Sequence, residues 1–135
     1  MVSPGEVILA LKVTVASVTV LLAASMLALV FKKPRWHGRI NKVFFTLTMA
    51  TVIVFEVIIR WINPELTSGF TDEARHALRI HLFFSVPSAA LLLLMLYTGV
   101  TRRIKYHLPL GILFLILWSG TFITGVFYLP HEITP

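Results

Sequence analysis

A hexad of basic, aromatic and histidine residues occurs twice in this sequence. Lys32-Lys33-Pro34-Arg35-Trp36-His37 is echoed seventy residues later by Arg102-Arg103-Ile104-Lys105-Tyr106-His107. Each copy closes one apolar run and opens the next, so His37 and His107 fall at one depth if those runs cross a bilayer. Two imidazoles at one level can ligate a metal ion or the two faces of a haem iron. Alternatively each ring, with its basic neighbours, lies among lipid headgroups or caps its loop. Trp36 and Tyr106 suit an interfacial aromatic belt.

A second set lies within the apolar runs near their other ends. Lys12, Glu56 and His81 fall in one outer layer of three different runs, with Arg60 one turn from Glu56, Arg79 close to His81, and Thr124 and Tyr128 on the fourth run. Glu56 and Arg60 share a helix face at i, i+4. A Lys, Arg or Asp at the centre of a membrane helix costs at least ~2.5 kcal/mol, less nearer the surface, unless it is paired. The spacing therefore predicts a buried polar cluster of Lys12, Glu56, Arg60, Arg79, His81 and Tyr128, with Glu56 as its anion. His81 and Glu56 are the candidate metal ligands there. The plainer reading has Lys12 and Arg60 snorkelling to the headgroups, Glu56 neutralising one of them, and His81 as a core histidine with one hydrogen bond. His76 and His131 are interfacial. The chain has no cysteine, and it carries no Gly-rich phosphate loop, HExxH or nucleophile elbow, so no catalytic set is assigned.

The elements that must position these residues are set by hydropathy. Of 135 residues 57% are hydrophobic and only 13% charged, with a mean hydropathy of +0.86, a composition that excludes an ordinary soluble domain. Four apolar runs, 7–31, 43–62, 77–100 and 108–129, each approach or exceed the ~20 residues needed to cross a bilayer. Without water to satisfy the backbone they must be helices. The formal charge of +6 reads as positive loops beside a membrane, with no nucleic acid required. The expected fold is all-α: one integral membrane four-helix bundle over 1–135, built from tandem helix hairpins at 1–65 and 71–135.

Orientation follows from charge. Loops 32–42 and 101–107 hold Lys32, Lys33, Arg35, Arg39, Lys42, Arg102, Arg103 and Lys105 and no acid, whereas Glu6, Glu65, Asp72, Glu73 and Glu132 lie beyond the opposite ends of the runs. Both basic loops are expected in the cytoplasm and both termini on the non-cytoplasmic side. The halves then share one orientation, with a pseudo-two-fold axis along the membrane normal. Thr71 before Asp72 and Glu73 predicts a helix start outside the bilayer, and Pro87 predicts a kink in the third helix.

The layout resembles the CtaM/YozB-like family of small membrane proteins. The similarity lies in Arg35-Trp36-His37-Gly38-Arg39, in His81 inside the next-but-one helix, in Lys105-Tyr106-His107, and in the closing stretch from Trp118 through Thr124-Gly125-Val126 to Tyr128. The resemblance implies a role in maturation of haem-copper cytochrome oxidases in a prokaryotic-type plasma membrane. It implies, too, that His37, His81 and His107 bind a cofactor, b-type haem or copper. Where the family has a histidine near the outer end of helix two, this chain has Glu56 through Arg60, so a ligand is lost or replaced by Glu56. The resulting expectation is an assembly factor or haem- or metal-binding accessory of a respiratory complex, partnered by lipids and other membrane subunits. The alternatives are a cofactor-free structural subunit and an oligomeric small transporter.

Overall fold

The computed structural model describes residues 3–62, 65, 68 and 70–128. Four long helices follow one another: α1 (Pro4–Val30), α2 (Pro34–Val57), α3 (Asp72–Val100) and α4 (Ile104–Ile123). Helix α2 runs on into a π-helical turn at Ile58–Ile62, and α4 into another at Thr124–Tyr128. Each continuous helix is long and apolar enough to cross a membrane, with spans of 26, 29, 29 and 25 residues. At 1.5 Å per residue even the shortest reaches ~38 Å, more than the ~30 Å hydrocarbon layer. The chain is a small polytopic membrane protein of four helices. The expected end of the fourth helix at 129, and His131 and Glu132, lie outside the described residues.

The helix ends have local causes. Ser3 caps α1 in a reciprocal capping box with Glu6: its hydroxyl accepts from the Glu6 N–H at 3.2 Å, and its own N–H donates to the Glu6 carboxylate at 2.8 Å. Thr71 caps α3 by accepting from the Ala74 N–H at 3.1 Å, with Asp72 and Glu73 in the first turn. Helices α2 and α4 start well before 43 and 108, where hydropathy alone places them. Most of each basic stretch is the first helical turns, since Lys and Arg favour helix and only the membrane, not the helix, excludes them.

What remains as loop is three residues in each hairpin, turned by one left-handed residue, Lys32 (φ 59°) or Arg102 (φ 55°). The Lys33 N–H donates to the Ala28 carbonyl at 2.7 Å, and the Arg103 N–H to the Thr98 carbonyl at 2.8 Å, a Schellman closure at positions seventy residues apart. Pro34 then opens α2 with its φ already helical.

The hairpins α1–α2 and α3–α4 make the broadest interfaces, and α2 on α3 and α1 on α4 close the ring; the π-helical end of α4 also packs on α1 and α3. At the centre lie Val18, Leu22, Phe44, Leu92, Phe114 and Trp118. Phe44 meets Phe114 and Trp118 edge-on at centroid distances of 6.1 and 5.1 Å, while Phe114 stacks on Trp118 at 5.7 Å. In lipid the outward faces are as apolar as this core, so such packing and polar bonds between helices, not water exclusion, hold the bundle. Pro87 sits inside an α3 that continues to Val100.

Candidate functional site

The chemistry of this bundle is concentrated in three histidines, each tied to a helix other than its own or to the preceding arm of its hairpin. At the basic end His37, in the second turn of α2, reaches back to α1. Its Nδ1 lies 2.7 Å from the Ser25 hydroxyl and 3.1 Å from the Ser25 carbonyl, and its Nε2 lies 3.1 Å from the Asn41 amide nitrogen. The Ser25 hydroxyl, fully buried, donates to the Asn41 Oδ1 at 2.6 Å. One proton assignment satisfies all of these. With the Asn41 amide donating to Nε2, the ring carries its proton on Nδ1, which donates to Ser25.

His107 repeats the arrangement in the second hairpin. Its Nδ1 lies 2.9 Å from the Thr98 hydroxyl, and that hydroxyl donates to the Leu94 carbonyl at 2.9 Å, leaving it to accept from the ring. The ring lies so close to α3 that a Cβ on Gly99 would stand 3.2 Å from its Cε1. Its Nε2 makes no hydrogen bond among the described residues.

His81, only 4% exposed on α3, is the third. Its Nδ1 lies 3.2 Å from the Thr124 hydroxyl, which donates to the Gly120 carbonyl at 2.7 Å and so accepts from the imidazole. The ring rests on Gly125, where a Cβ would come within 2.8 Å of Cε1 and 3.7 Å of a Val15 methyl from α1. Below it Ser88 and Thr121, both buried, meet at 3.2 Å across the α3–α4 seam. Phe84 covers Gly120, and the Trp118 indole N–H donates to the Thr19 hydroxyl on α1 at 3.0 Å.

The outer polar cluster expected from depth is split. Glu56 and Arg60 do pair, one turn apart on α2, but the pair faces away from the bundle, with the side chains 50% and 71% exposed. Arg79 and Tyr128 are exposed, Lys12 is half-buried, and of the six residues only His81 is buried. Depth fixes a level, not a direction: at ~100° per residue, Glu56 is swung well off the face that half-buried Phe55 turns inward. Buried company for His81 comes instead from hydroxyls.

The candidate ligand sets separate as well. Among the described residues no three His, Asp or Glu side chains converge. His81 is ~25 Å along α3 from Thr98, where His107 is held, so the three histidines cannot bind one group together. A haem iron between His37 and His107 needs the Nε2 lone pair of each, and in His37 that lone pair accepts from Asn41. Clefts of about 430 and 380 Å³ open on the surface of the described residues, and no histidine lines either. A haem therefore does not fit the arrangement as it stands.

Sequence reasoning found the histidines and placed Thr124 at the level of His81, but missed Ser25, Asn41 and Thr98. Small residues, Gly99 and Gly125, mark where an imidazole enters a helix seam. Comparison of the chain with protein-family models, with curated proteins and with solved structures finds no match in any of the three.

Proposed function

We propose that this protein is an accessory subunit or assembly factor of a larger membrane complex, with a respiratory haem-copper oxidase as the complex its sequence resemblance implies. Its histidines hold helices together instead of holding a cofactor. The observation carrying this reading is that His37, His107 and His81 each commit Nδ1 to a hydroxyl on a neighbouring helix. The basic hairpin turns lie in the cytoplasm and both termini on the other side, supported by eight basic residues and no acid across 32–42 and 101–107. The two hairpins are copies related by an axis along the membrane normal, supported by the paired left-handed residues Lys32 and Arg102 and the paired closures of Lys33 on Ala28 and Arg103 on Thr98. Deleting the protein should lower the oxidase signal in reduced-minus-oxidised spectra of the membranes. An unchanged spectrum removes the oxidase from the proposal.

One observation favours a second reading. The Nε2 of His107 has no hydrogen bond among the described residues, so His107 and His37 could hold a copper ion between them once Asn41 releases its ring.

A further inference from the structure

The first hairpin has an open groove. Between the end of α1 and the start of α2 a cleft of about 430 Å³ is lined by Ala24, Leu27, Ala28, Phe31, Lys33 and Trp36. Its form follows from those side chains. Ala24 and Ala28, one turn apart, give a floor of methyl groups; Phe31 and Trp36, 68% and 53% exposed, stand as walls. Lys33 is at the mouth, and its side chain makes no hydrogen bond or ion pair among the described residues.

The second hairpin sets different side chains on the same frame. At the equivalent positions stand Leu94, Tyr97, Thr98, Thr101, Arg103 and Tyr106. Leu94 occupies the place of a methyl, and Tyr97 places its ring 5.7 Å below the Arg103 guanidinium. That cation is already engaged by its own hairpin. Lys33 shares its cleft with the aliphatic Leu27, and among the described residues no aromatic ring pairs with its ammonium.

We propose that the groove binds one anionic phospholipid, its phosphate on Lys33 and an acyl chain along Ala24, Leu27 and Ala28 between Phe31 and Trp36. Charge complementarity commits the site to an anionic lipid. Lys33 lines the cleft, and Lys32, Arg35, Arg39 and Lys42 lie in the same stretch 32–42 with no acid among them, so a zwitterionic headgroup would bring its own cation into a cationic field. The groove lies where the basic turn meets the apolar helices, the depth at which lipid phosphates lie. Nothing here depends on the oxidase reading; it requires only that the chain is in a membrane.

Native mass spectrometry of the full chain, released from micelles holding equal phosphatidylglycerol and phosphatidylcholine, tests this. Wild type should retain one phosphatidylglycerol in preference to phosphatidylcholine by about fivefold or more, the scale of one interfacial cation. Lys33→Gln should remove about fivefold of that preference. Ala24→Leu with Leu27→Tyr, which gives the first hairpin the lining of the second, should lower retention of either lipid. Circular dichroism and a monodisperse profile establish that the double variant is folded; if it is not, exposed Lys33→Gln decides alone. Equal retention of the two lipids by wild type overturns the proposal, as does undiminished phosphatidylglycerol preference in Lys33→Gln.

Discussion

His81 and Gly125 meet across the α3–α4 seam so closely that a Cβ on Gly125 would stand 2.8 Å from the imidazole Cε1. The absent side chain is thus what admits a buried imidazole at the junction of three helices. Gly125→Ala should destabilise the bundle by about 1–3 kcal/mol, the usual penalty of overpacking. Gly38→Ala is the control, because nothing lies within 4 Å of its added methyl, and in a helix it should be neutral or gain up to ~1 kcal/mol. Reversible unfolding in mixed micelles measures both. Equal behaviour of the two variants contradicts the seam.

The Ser25–His37–Asn41 network fixes a tautomer. Nitrogen NMR of histidine-labelled protein should show His37 with a protonated Nδ1 and a bare Nε2. Asn41→Leu should abolish that signature and cost about 1 kcal/mol, the scale of a polar contact between membrane helices. A His37 protonated on Nε2 in wild type contradicts the assignment.

Lys32 turns its hairpin in a left-handed conformation that L-residues other than Gly, Asn and Asp rarely adopt. Lys32→Gly should raise stability by up to ~1 kcal/mol, and Lys32→Val should lower it. Both are read by the same unfolding measurement, and a Gly variant less stable than wild type counts against this turn.

The Glu56–Arg60 pair lies on an outward face within a single helix turn. Glu56→Gln should change the unfolding free energy of the isolated chain by no more than ~0.5 kcal/mol, as for other exposed i, i+4 pairs. A loss of several kcal/mol would return Glu56 to a buried cluster.

Much of the fold was legible because a bilayer leaves few choices. Long apolar runs must be helices, and the basic hexads marked both hairpin turns. The start of α3 at Thr71 was legible from its capping pattern; other helix ends were less so, because hydropathy reports where the membrane begins, whereas Ser3 and Lys32 act through a cap and a backbone angle. The site was legible in level but not in direction. Glu56 and His81 lie at similar depth, yet one faces outward and the other is buried, because side-chain direction depends on helix rotation that residue counting does not supply. The partners of His37 escaped notice for a related reason. Ser25 and Asn41 lie on different helices and come together only through helix pairing.

On the proposed reading the imidazoles pin helices and hold no cofactor. An absorption spectrum with metal analysis of the full chain, purified in mild detergent from haem-replete, copper-replete membranes, tests it most directly. The account predicts protein absorbance alone, with no Soret band and no stoichiometric metal. A Soret band or bound copper that disappears in His37→Ala or His107→Ala would contradict it.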